Sequence, residues 1–137
     1  MARYLAIIDY DAETGMYGAS FPDAPGCTAM GASEEEIVVN ATEALSEWAA
    51  DEAAENRQIG AARSYAQLLR SGELPELGRN GMIATIPLVV ETGRLTRANI
   101  SLDAGVLAAI DAEAARRGMT RSAFLSSAAR DKIRSEA

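Results

Sequence analysis

FPDAPGCTAMGASEEE, residues 21–36, carries three structural signals in succession. Pro22 and Pro25 lack amide donors and, with Gly26, make residues 22–26 a loop rather than part of a central ladder. Residues 27–30 suffice for one short strand, closed by Gly31. Ser33 followed by Glu36 has the spacing of a capping box, and the carboxylates of Glu34, Glu35 and Glu36 suit the positive end of a helix. A strand gives way to a helix here, so the fold is of the α+β class.

Upstream, residues 3–10 (RYLAIIDY) are rich in large apolar and aromatic side chains and read as a strand. Residues 11–15 (DAETG) read as a turn and residues 16–21 (MYGASF) as the antiparallel return. Downstream, the helix runs to about residue 55. Ile37, Ala41, Ala44, Leu45 and Trp48 recur on one face, while Glu36, Glu43, Glu47 and Asp51 fall mostly on the other. A short helix over residues 64–71 is stopped by Gly72 and Pro75, and residues 81–90 (GMIATIPLVV) form a strand whose Pro87 suits an edge or late position. Residues 1–90 thus read β-β-β-α-(α)-β, helices on one face of a sheet.

Glu91, Thr92 and Gly93 read as a hinge. Beyond it, residues 95–102 alternate in the manner of a strand. A helix follows over residues 103–117 with Val106, Leu107, Ile110 and Ala114 as its apolar stripe. Gly118 has the place of a helix-ending glycine, and Thr120 caps a last helix whose inner face is Phe124, Leu125, Ala128, Ala129 and Ile133. A strand-helix-helix of about 40 residues has too little core to fold alone. It needs a second copy to pair its strand and cover its helices, so residues 94–137 are expected to dimerise.

The chain has 137 residues, 48% hydrophobic and 24% charged, the balance of a globular protein. No apolar run approaches the roughly 18 residues of a membrane span, and no signal-peptide core precedes the first strand, so the expected setting is the cytoplasm. There is one cysteine and no histidine. That composition excludes intrachain disulfides, cysteine-based zinc sites, catalytic triads and histidine-dependent nucleases. Cys27 has no basic neighbour in sequence and reads as a buried structural thiol. Charge is divided unevenly. Residues 1–93 carry 5 Arg/Lys against 15 Asp/Glu, a balance of −10, and residues 94–137 carry 8 against 5, a balance of +3. An acidic body would repel nucleic acid while the tail could accept it.

The tail, residues 95–134, resembles a ribbon-helix-helix DNA-binding domain. The likeness rests on Asn99-Ile100-Ser101-Leu102-Asp103, the Val106/Leu107/Ile110 stripe and the Gly118-Met119-Thr120 turn. In that family two strands pair into a ribbon that enters the major groove. With Ile100 and Leu102 facing the core, Arg97, Asn99 and Ser101 face outward as base-contact candidates. The resemblance places the phosphate anchor at the start of the second helix, here Thr120, Arg121 and Ser122. Ser101 and Asp103 depart from the family's usual residues.

The body resembles the HicB family of antitoxins. The residues that carry this are Tyr17-Gly18, residues 21–27 (FPDAPGC), residues 31–36 (GASEEE) and residues 40–45 (NATEAL). The resemblance implies a partial RNase H-like body without catalysis, followed by the ribbon-helix-helix. It also implies a partner, a small basic HicA-type toxin that cleaves mRNA, and operator DNA as the target of the tail. Homodimerisation is expected through the tail, with a tetramer if the bodies self-associate as well. The expected toxin surface comprises Asp9, Asp11, Glu13, Tyr17, Phe21 and Asp23.

Two other readings compete. Asp9, Asp11 and Glu13 could serve a carboxylate-dependent nuclease, but two-metal chemistry needs acids converging from separate elements, and the helix offers none on its apolar face. No catalytic residue, metal or cofactor is therefore expected. The second alternative is a free-standing ribbon-helix-helix regulator whose acidic body senses a small ligand.

Overall fold

A computed structural model of the chain describes residues 2–135. They form two compact units that divide between Thr92 and Gly93. The first runs β1 (Arg3–Asp11), β2 (Met16–Ser20), β3 (Thr28–Gly31), α1 (Glu34–Ala54), α2 (Tyr65–Ser71) and β4 (Met82–Pro87). Its strands make one antiparallel sheet in the order β3-β2-β1-β4.

Register decides what each face carries. Tyr4 lies opposite Ile86, Ala6 opposite Ala84, and Ile8 opposite both Ala19 and Met82. Directly opposed residues share a face. This set packs with Ile37, Ala41 and Leu45 of α1 as the core of the unit, each fully buried Leu or Ile contributing about 1.5–3 kcal/mol. Leu5 and Ile7 point to the other face and are buried too. Burial on both sides explains why residues 5–8 read as an unbroken apolar run rather than an alternation.

Gly31 sits where α1 begins its passage along β3. A Cβ at that position would lie 2.6 Å from the Ile37 amide nitrogen and 2.8 Å from Ile37 Cα, so only glycine permits the approach. The Ser33 hydroxyl accepts from the Glu36 amide at 3.1 Å, capping α1 as expected. The inner stripe of α1 is rotated slightly from the sequence reading: Thr42 and Ala49 are buried, whereas Ala44 and Trp48 are half-buried. Thr42 is tolerated inside because its hydroxyl donates to the Val38 carbonyl at 2.7 Å. Trp48 donates its indole N–H to the Pro25 carbonyl at 3.1 Å and meets Tyr4 edge-on at 6.5 Å. A reciprocal capping box, Ser64 with Gln67, opens α2.

The second unit contains α3 (Ala104–Arg116) and α4 (Arg121–Ser135). Asp103 Oδ1 caps α3, accepting from the Gly105 and Val106 amides at 2.8 and 3.1 Å. The helix ends in a Schellman turn. Met119 N–H reaches the Ala114 carbonyl at 2.8 Å and Gly118 N–H the Ala115 carbonyl at 3.1 Å, with Gly118 at φ +67°. Thr120 Oγ1 accepts from the Ala123 amide at 3.1 Å and starts α4.

The strand expected over residues 95–102 is one that pairs with a second copy. Residues 95–102 alternate like a strand but form no ladder in the single chain. A strand exists through the hydrogen bonds of its neighbour, and one copy of this unit offers none. The inner faces expected for α3 and α4 are open for the same reason: Val106 is exposed, and Leu107, Ile110, Phe124, Leu125 and Ile133 are only half-buried.

Candidate functional site

The six residues expected to meet a protein partner do not share one surface. Asp9 and Asp11 lie on the sheet face turned away from α1, as their pairing with Gly18 and Met16 shows. Asp11 Oδ1 accepts from the Glu13 amide at 2.9 Å and shapes the exposed β1–β2 turn. Tyr17 is on the opposite face, its ring tilted against Tyr10 at 4.8 Å. Desolvation, helped by Glu34 and then Tyr10, raises its pKa above the ordinary phenol value. Phe21 is a core residue at 4% exposure.

Asp23 is held within the fold. Its Oδ2 accepts from the Arg63 amide at 2.7 Å, and its Oδ1 from Arg63 Nε at 2.8 Å. The same guanidinium donates to both carboxylate oxygens of Glu73 at 2.6 and 2.9 Å. Fork-on-fork hydrogen bonding to Arg63 holds the Glu73 carboxyl below the usual range. This clasp was missed in the sequence. Its one signal is scarcity, since Arg63 is one of only five cations in the first 93 residues. Of the six expected contacts, Asp9, Asp11 and Glu13 are the acids left facing outward, while Tyr17 is half-buried on the other face of the sheet.

In the second unit Arg97, Asn99 and Ser101 are all exposed, but so are Leu95, Ile100 and Leu102, and no sheet separates an inner from an outer face. Thr120, Arg121 and Ser122 do cluster at the start of α4. Asn99 joins Arg121 and Ser122 in lining one open groove, whose apolar wall includes Ile100, Leu107 and Leu125. Arg121 is engaged by Asp111, whose two oxygens accept from Nε and Nη2 at 2.8 Å each. Those bonds depress the Asp111 pKa and raise that of Arg121. Glu113 pairs likewise with Arg116 and Arg117. Among the described residues no group of three or more acidic or cysteine side chains is placed to hold a metal ion, and no helix is long and apolar enough to cross a membrane.

By class this is a mixed α+β protein with an acid-rich body and a separate, arginine-bearing helical unit. The chain belongs to the HicB-like antitoxins of bacterial toxin–antitoxin systems, whose family pattern it matches over residues 4–129. Its fold is similar to that of the Burkholderia pseudomallei antitoxin HicB, at TM-score 0.56 and 24% identity, covering 94% of this chain and 96% of that one. It is also similar to the antitoxin HicB3, at TM-score 0.52 and 25% identity, with 96% and 97% covered. A chain of a toxin–antitoxin complex from Streptococcus pneumoniae matches at TM-score 0.53 and 16% identity, with 96% and 98% covered. No curated protein matches the sequence.

Proposed function

We propose that this antitoxin works through two surfaces. Its acidic body neutralises a small basic HicA-type toxin that cleaves mRNA, and its second unit, as a ribbon-helix-helix dimer, binds operator DNA and represses its own operon. In this reading the body is a partial RNase H-like domain without catalysis. The single observation that carries the DNA-binding half is the incompleteness of the second unit. Among its described residues only Ala114 is buried, while Leu95, Ile100, Leu102 and Val106 are exposed and residues 95–102 lack a strand partner. Pairing two such segments would satisfy both backbones, cover the apolar side chains, and turn Arg97, Asn99 and Ser101 outward together. Arg and Asn suit guanine and adenine edges, and Thr120, Arg121 and Ser122 suit phosphate.

The toxin half of the reading rests on family membership and on charge. An RNA-binding protein presents a positively charged surface to the phosphates, and a body with a balance of −10 attracts such a surface and speeds capture. Asp9, Asp11 and Glu13 are the proposed contacts, while Tyr17 lies on the other face and Phe21 and Asp23 act from inside the domain. The experiment is co-purification of the tagged full chain expressed from its native operon, together with a mobility-shift assay on its own promoter. A small basic co-purifying protein and a retarded promoter are expected. Recovery of neither would overturn the proposal.

A further inference from the structure

Gly18 lies in the middle of β2, where glycine is a poor strand former. Glycine inside a strand marks a left-handed backbone, a bulge or bend, crowding from within, or a place where something approaches closely from outside. Gly18 is not among the positive-φ residues, and its register with both neighbouring strands runs through it without a bulge. A Cβ built on it would meet nothing within 4 Å, in contrast to the crowded Gly31. The fold therefore makes no demand for glycine at this position, and the space above it is open to a close approach from outside.

Its surroundings indicate what could approach. Register places Gly18 between Asp9 of β1 and Met30 of β3, on the sheet face turned away from α1. Asp9 is exposed, and the Met30 side chain beside the glycine is 62% exposed. Towards β4 the same face is closed, since Leu5 and Ile7 are buried. The result is a short open row across three strands: a carboxylate, a floor without a side chain, and a flexible thioether. A lysine or arginine fits such a row, its alkyl stem over Gly18 and against Met30, its charged head on Asp9.

We propose that this row across β1, β2 and β3 is a docking surface for a cationic protein, with Gly18 as its floor. The partner's class follows from charge, because residues 1–93 carry a balance of −10. The proposal deepens the toxin-binding reading and rests on it.

The test uses the tagged full chain expressed from its native operon. The probe is the co-purified small basic protein, identified by mass as the product of the neighbouring reading frame. Gly18→Thr fills the floor with a good strand former and should melt no lower than the parent. Met30→Lys sets a like charge beside the floor without touching the core. Each variant should retain at most about a tenth of the partner, whereas Ala50→Lys, on an exposed position of α1, should retain all of it. If Gly18→Thr fails to fold, Met30→Lys against Ala50→Lys decides. Undiminished capture by the row variants, or equal loss in Ala50→Lys, overturns the docking surface and leaves the toxin reading standing. A parent chain that captures no basic partner overturns both.

Discussion

Asp23 and Arg63 stand 40 positions apart and meet through two hydrogen bonds, one to the backbone amide and one to the guanidinium. The carboxylate is 11% exposed, so it closes the loop after β2 onto the segment between α1 and α2. Tyr4 secures the same segment from beneath, its hydroxyl donating to the Gly60 carbonyl at 3.2 Å. Asp23→Ala strands a backbone donor as well as breaking an ion pair. The melting temperature should fall by about 4–8 °C, the shift produced by roughly 1 kcal/mol in a domain of this size. Glu73→Gln, on the 50% exposed outer side of Arg63, should cost less. Thermal melts followed by circular dichroism rank the two.

Gly31 and Leu45 test the seating of α1. Leu45 is fully buried in the core, and Leu45→Ala should destabilise by about 2–5 kcal/mol. Gly31→Val should be worse than a cavity, because its Cβ would overlap the Ile37 backbone. Urea unfolding of the body measures both, and a neutral Gly31→Val would contradict the close approach.

Cys27 is buried, and burial, with a smaller contribution from Glu47, pushes its thiol up to about 11. Thiolate is the reactive form. The native chain should therefore resist a disulfide reagent at pH 8 and react at once in denaturant. Rapid native labelling would show that the thiol is reached without unfolding.

Acid should loosen the second unit. Hydrogen bonds from Arg116 and Arg117 lower the Glu113 carboxyl from 4.5 to about 2. A carboxylate depressed in the folded state contributes stability above its unfolded pKa and loses that contribution as pH falls through the folded value. Helicity should therefore drop between pH 4.5 and 2, and Glu113→Gln should flatten the slope. The pairs are exposed, so high salt should flatten it too. Far-ultraviolet circular dichroism with and without 1 M salt (about 3 Å screening length) reads the effect.

Under the proposed function, Arg97→Ala should lose about 1–3 kcal/mol of operator binding and relax base preference, leaving toxin capture intact. Ile100→Glu should instead dissociate the dimer by placing charge on a face meant for burial. Sedimentation and mobility shift separate these outcomes, and equal loss of toxin capture in Arg97→Ala would undo the division of labour.

Local chemistry made much of this protein legible as a string of letters. Proline and glycine placement bounds the loop after β2, Ser33 and Thr120 start their helices, Gly118 ends one, and apolar spacing locates the cores of α1 and β1. Each of these depends on neighbours a few residues away, which is why sequence determined them. Tertiary structure alone decided the rest. It set the register that puts Asp9, Gly18 and Met30 in one row, the clasp of Asp23 by Arg63, and the placement of Phe21 in the core rather than on a surface. Residues 95–102 mark the boundary between the two. Their alternation is written in the sequence, but a strand needs hydrogen bonds from a second segment, and one chain by itself does not supply them.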